Sequence, residues 1–415
     1  MSKYLVIVLL LGCSFSNVRA SNQPDEPEET RSFQLSIFPA VGTEGRFSHK
    51  YIYNFSVNVF AGITGGVDGV EIGGFGNINR YSMKGLQAAG FGNAVNGNVN
   101  GLQAAGFINV VNGGAEGLQG AGFINVVNSN SKVLQGAGFA NIVNGELRGL
   151  QGAGFLNVTS GNAKAIQAAG FGNVCGGLVE GIQGAGFFNA AYRVQGLQGA
   201  GFLNVSEDIK GIQGAGFINV AGRIEGLQLA GFINVARKVE GVQLGVFNVA
   251  DSIDGIPVGL LSIVKNGYRK IEFSGGDALN TAIAFKIGVR RFYNIFTLGT
   301  QFVDIDPLFT YGYGIGSEFN LSHDRYLNLE IISHQFMEGR WWEYDRYNML
   351  NQLKVLYASD ISERWQIFAG PVLNFQVRDK NSEGSAVSPY QLVSYSGKNT
   401  ITDMWIGINA GFRFW

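Results

Sequence analysis

Between Gly69 and Asp254 apolar and polar positions recur with a period of roughly 15 residues, and each period carries the phrase G-L-Q-x-A-G-F-x-N-V. Seven units of 16 residues run from Gly69 to Glu180, four of 15 from Gly181 to Glu240, and one of 14 to Asp254. A thirteenth begins at Gly255 but sets Pro257 where the others have glutamine. Such a period is too short for a helix pair, so each unit is one rung that buries its apolar face only by stacking on its neighbours. The flanks follow a different rule, with strict alternation. Phe33, Leu35 and Ile37 alternate with Gln34 and Ser36, and Tyr53, Phe55, Val57 and Val59 with Asn54, Ser56 and Asn58. After about Tyr268 come longer alternating runs, such as Leu327, Leu329 and Ile331, and Ile406, Ile408, Ala410, Phe412 and Phe414. Period two with one apolar face predicts strands, about eight of them in this last third.

Three residue types stand in fixed columns of the repeat. The glutamines are Gln87, Gln103, Gln119, Gln135, Gln151, Gln167, Gln183, Gln198, Gln213, Gln228 and Gln243. The phenylalanines are Phe91, Phe107, Phe123, Phe139, Phe155, Phe171, Phe187, Phe202, Phe217 and Phe232. The asparagines are Asn93, Asn109, Asn125, Asn141, Asn157, Asn173, Asn189, Asn204, Asn219 and Asn234. In a parallel solenoid each residue lies about 4.8 Å from its own copy, so amides satisfy one another in ladders and rings stack. An antiparallel meander would not place like beside like. The columns therefore predict an all-β fold, a β-solenoid inserted into an antiparallel outer-membrane-type β-barrel. The alternative is one large continuous antiparallel barrel. The expected organisation is a signal peptide over 1–20, a disordered acidic leader over 21–31, first barrel strands over 32–62, the repeat block over 63–267 and barrel strands over 268–415.

Composition adjusts this picture modestly. Of 415 residues 62 are glycine and only 7 proline, while 46% are apolar, which argues against collagen and against a disordered linker. A net charge of −1 gives no electrostatic case for nucleic acid. Lys3, the apolar run Tyr4–Leu11 and Val18-Arg19-Ala20 form an export signal with cleavage before Ser21; lipidation at Cys13 is the competing reading. With Cys175 as the other cysteine, disulfides do not staple the fold.

Candidate chemistry is sparse. His49, His323 and His334 have no metal-ligand spacing, and glycine runs such as Gly73-Gly74 lack the strand–loop–helix setting and lysine of a phosphate loop. The best ligand shelf is Trp341, Trp342 and Glu343, adjacent indoles beside a carboxylate, although an interfacial aromatic girdle beside a polar loop is the favoured explanation. The repeat columns hold no titratable group. Charges such as Glu146, Arg148, Lys164, Glu180, Lys210, Arg237 and Lys238 fall at variable positions and form a solvated flank. No catalytic residue, metal site or cofactor is expected.

Segments such as Gly226-Leu227-Gln228-Leu229-Ala230-Gly231-Phe232-Ile233-Asn234-Val235, with Phe33–Pro39 before the block and Phe285–Arg291 after it, resemble the bacterial surface-repeat proteins first grouped from leptospiral genomes and frequent in Bacteroidetes-type bacteria. The resemblance covers roughly residues 32–300. It implies an exported surface or outer-membrane protein without assigned catalytic residues. The expected role is non-enzymatic, structural or adhesive, with outer-membrane lipid and an extracellular or cell-envelope partner. A pore or transporter is the alternative, and a carbohydrate-binding or carbohydrate-degrading β-helix a third reading. Phe414-Trp415 suits a barrel terminus, but Arg413 departs from the apolar residue that the usual barrel-assembly signal would have there.

Overall fold

The computed structural model describes residue 27 and residues 29–303, 306–337, 347–380, 382 and 391–414. The expected export signal with Cys13, most of the leader, and Trp341, Trp342 and Glu343 lie outside these described residues. The chain is all-β and divides into two compact units, one ending at Phe232 and the other beginning at Ile233.

The first unit is a β-solenoid. One turn, for example, holds a long strand Val99–Ala105, a Gly106-Phe107 corner, a short strand Ile108–Val111 and a second corner at Asn112–Gly114. Long strands pair in parallel with long strands and short with short, in a register that sets Gln103 beside Gln119, Leu102 beside Leu118 and Asn109 beside Asn125. In the 15-residue turns the second corner closes up and the chain runs on as one strand, as in Phe188–Ala200. In the stacked repeat the glycine of the Gly-Phe corner leaves no room for a side chain. A Cβ on Gly106 would lie 2.0 Å from the carbonyl oxygen of Gly90 one turn earlier, and the same clash recurs at Gly122, Gly138 and Gly154.

Two expectations need correction here. The strands expected to open the barrel over 32–62 are the first turns of the solenoid: Glu29–Phe38 pairs in parallel with Tyr51–Asn58, and that strand with Gly66–Gly73. Alternation of period two identifies a strand but not its partner, and both patterns fit a parallel neighbour. The leader also ends earlier than expected, because Glu29, Thr30 and Arg31 already belong to the first strand, with Glu29 opposite Tyr51.

The second unit opens with further turns, Ile233–Leu244, Phe247–Val258 and Leu261–Val264. Eight antiparallel strands then close into a barrel. They are Tyr268–Gly276, Thr281–Val289, Phe292–Val303, Asp306–Ser322, Arg325–Met337, Asn348–Asp360, Trp365–Asp379 and Thr400–Phe414. Closure comes from the last strand pairing with the first, Ile271 opposite Phe414 through Gly276 opposite Asn409. The amide columns end where Pro257 and Ser262 stand beside Gln243 and Asn248. There Asn294, on a barrel strand, accepts from the Ser262 N–H at 3.0 Å and donates to the Gly259 carbonyl at 2.8 Å, so a barrel amide takes up the polar groups of the last turn.

Candidate functional site

In the long strands of the repeat glutamine follows leucine, isoleucine or valine, so a strand must turn one inward and the other outward. The solenoid turns glutamine in. The interior of a turn is built from two amides and two apolar side chains, for instance Gln103 and Asn109 with Val99 and Val111, all buried. Each glutamine Nε2 donates to the Oε1 of the preceding turn: Gln103 to Gln87 at 2.9 Å, Gln119 to Gln103 at 2.8 Å, Gln135 to Gln119 at 2.7 Å. The asparagines run the other way. Asn93 donates forward to Asn109 at 2.8 Å and Asn109 to Asn125 at 2.9 Å, while each spends its second N–H on a main-chain carbonyl, as Asn109 does on Gly120. Along the body of the two ladders buried amides thus satisfy one another, which makes a polar core tolerable.

The glutamine ladder ends on a carboxylate. Glu71 occupies the glutamine column one turn before Gln87 and is fully buried. Its Oε2 accepts from Gln87 at 2.8 Å and Asn79 at 2.9 Å, and its Oε1 from Asn58 at 3.1 Å and Ser56 at 3.3 Å. Burial pushes its carboxyl above the ordinary range, and the four donated hydrogen bonds oppose that rise.

The phenylalanines stack as expected, with ring centroids 4.7–5.1 Å apart and planes within 16° from Phe75 to Phe232. They do so on the outside of the solenoid, beside an equally exposed leucine–isoleucine column. The opposite edge is polar. Asn112, Asn128 and Asn144 form an exposed amide ladder there, and exposed pairs such as Lys132–Glu116 at 2.9 Å stand nearby. Pairs of that kind contribute little to stability.

The barrel repeats this inversion. Phe273, Phe285, Leu329, Ile331, Leu353, Ile367 and Phe412 face outward, while Glu272, Lys286, Glu330, Lys354 and Arg413 are buried inside. Lys286 Nζ donates to Glu272 and, at 2.6 Å, to Glu330 Oε1, which also accepts from Tyr293 OH at 2.8 Å. Arg413 donates to Asn328 Oδ1 at 2.7 Å and lies 3.8 Å from Glu272. Tyr268 OH donates to Glu318 at 3.0 Å. Toward the last strand's start, Trp405, Leu350, Phe336, Leu279 and Ala278 pack together, and Trp405 Nε1 donates to Asp277 at 2.6 Å. His334 hydrogen-bonds Gln352 at 3.1 Å rather than a ligand set, and among the described residues no cluster of His, Cys, Asp and Glu could hold a metal. Arg413 turns into the barrel while its neighbours Phe412 and Phe414 carry the outward positions.

The sequence reading missed two groups, the leucine–isoleucine column and Glu71. Spacing marks the second, since Glu71 precedes Gln87 by one 16-residue period. No family model matches the chain, and no curated protein or solved structure matches it either.

Proposed function

We propose that this protein is an exported, non-enzymatic outer-membrane protein whose barrel anchors it in lipid and whose solenoid has a structural or adhesive role at the surface. The observation that carries this reading is the barrel's sidedness, apolar outward and ionic inward, which is the pattern of a strand-built membrane span. The resemblance to surface-repeat proteins supports the same reading. A pore is disfavoured because eight strands enclose only enough room for side chains, and here Lys286, Glu272, Glu330, Arg413 and Tyr293 occupy that room. Catalysis is disfavoured because the fixed solenoid columns offer amides already committed to one another. The test is reconstitution of the full chain into vesicles and planar bilayers. A heat-modifiable band on gels with no unitary conductance is expected. Steady single-channel conductance would replace the anchor by the pore, and failure to partition into vesicles would remove the membrane reading.

A further inference from the structure

The solenoid's apolar exterior has no role in anchoring by the barrel, yet it runs as a regular surface along the first unit. The leucine–isoleucine column from Leu86 to Ile212 and the phenylalanine column from Phe75 to Phe232 are 36–46% exposed. Between and beyond them lie half-buried residues of the short strands, such as Ile108 and Val110, so the stripe wraps the Gly-Phe corner from one face to the other. If each ring or branched chain leaves about 80 Å² open, the stripe amounts to on the order of 1,500 Å², against the roughly 300–600 Å² of the largest patch on a soluble monomer. Charges border it on one side, two residues ahead of the leucine–isoleucine column. Lys84, Glu116, Lys132 and Lys164 stand at the start of the long strands, beside the asparagine corner.

We propose that this stripe lies in the hydrocarbon edge of a lipid bilayer, with the asparagine edge turned to water. Two properties select acyl chains over a protein partner. The stripe is a repeat of itself every 4.7–5.1 Å, so a folded partner sliding by one turn meets the same surface and finds nothing to fix its register. Acyl chains need no register. The stripe also presents hydrocarbon alone, without the polar anchors that give a protein interface its specificity. Length then sets orientation. Eleven stacked rings from Phe75 to Phe232 extend about 49 Å along the solenoid axis, more than the ~30 Å hydrocarbon core of a bilayer. The stripe can be covered in lipid along its whole length only if the axis lies along the membrane plane, as an interfacial amphipathic element does.

This inference rests on the membrane reading of the barrel, and the test separates the two. Nitroxide labels are placed by Phe155→Cys on the stripe, Asn128→Cys on the opposite edge and Ile331→Cys on the barrel exterior, each in the full chain with Cys13→Ser and Cys175→Ala. The proteins are reconstituted in phosphatidylethanolamine–phosphatidylglycerol vesicles. Relaxation by oxygen is compared with relaxation by a water-soluble nickel chelate. The expected result is a several-fold higher oxygen-to-nickel ratio at Phe155→Cys and Ile331→Cys than at Asn128→Cys, repeated at Leu118→Cys to guard against local misfolding. A water-like ratio at both stripe sites with a lipid-like Ile331→Cys overturns the inference and leaves the anchor standing. Water-like ratios at all sites overturn both. A stripe label shielded from both reagents indicates contact with protein and overturns the inference.

Discussion

If the glutamine ladder is held together by mutual satisfaction, its disruption should be counted by its breaks and not by the residues replaced. Gln119→Met keeps the side-chain volume but leaves the Gln103 Oε1 without its donor and the Gln135 Nε2 without its acceptor, both buried. Each orphaned group costs ~1–3 kcal/mol, and burying a thioether in place of an amide returns about 1 kcal/mol, so the net loss is roughly 1–5 kcal/mol. Replacing Gln103, Gln119 and Gln135 together by Met also leaves two orphans, the Gln87 Oε1 and the Gln151 Nε2. The triple variant should therefore be no less stable than the single one, and slightly more so if the added apolar burial counts. Cys175 offers a readout confined to the solenoid. It is buried, and its thiol is pushed up to about 11 by that burial, so in a Cys13→Ser chain it reacts with maleimide only when the solenoid opens. Urea midpoints of Cys175 protection would be compared across wild type, single and triple variants. A triple variant costing about three times the single one would refute mutual satisfaction and show that each glutamine contributes independently.

The same assay serves two further predictions, and a gel shift a third. Gly138→Ala sets a Cβ 2.1 Å from the Gly122 carbonyl oxygen and should cost at least ~2 kcal/mol, whereas Gly136→Ala meets nothing within 4 Å and should be neutral or stabilising by about 0.4–1 kcal/mol. Glu71 has a folded pKa above its unfolded one, so its contribution is complete at low pH and is lost as pH rises through the folded value. Cys175 protection, after correction for thiolate content, should thus fall as pH rises above the ordinary carboxylate range, and Glu71→Gln should flatten that slope. In the barrel, Lys286→Met strands Glu272 and Glu330 without their shared cation and should cost ~3–5 kcal/mol, seen as a lower temperature for loss of the compact gel band.

Much of the fold was legible because column identity is a statement about neighbours. Gln103 sixteen residues from Gln119 pairs with it, and the solenoid-to-barrel boundary near Tyr268 falls where the period changes from 14 to two. What was not legible was sidedness. Leu102 and Gln103 alternate, and the rule that apolar residues go inside selects the wrong one, because it ignores that a stacked amide is satisfied by its own copy. The strands of residues 32–62 were misassigned for a related reason. Gln34 and Ser56 are the first inward residues of the glutamine column, but irregular spacing ahead of Glu71 conceals the relation. In the barrel, alternation puts Glu330 and Arg413 on the polar face, yet the meeting of Glu330 with Lys286 and of Arg413 with Glu272 depends on pairings between distant segments that no local pattern encodes.

The opposed directions of the two inner ladders have an electrical consequence. Every glutamine amide points its positive end toward the start of the chain, and every asparagine amide points its own toward the end. A single aligned ladder would add its dipoles turn by turn, as a helix does, and build charge at its ends in proportion to length. Two ladders of opposite sense cancel within each turn. A turn can thus be added or removed without altering the field at either end, and the length of the array carries no electrostatic penalty.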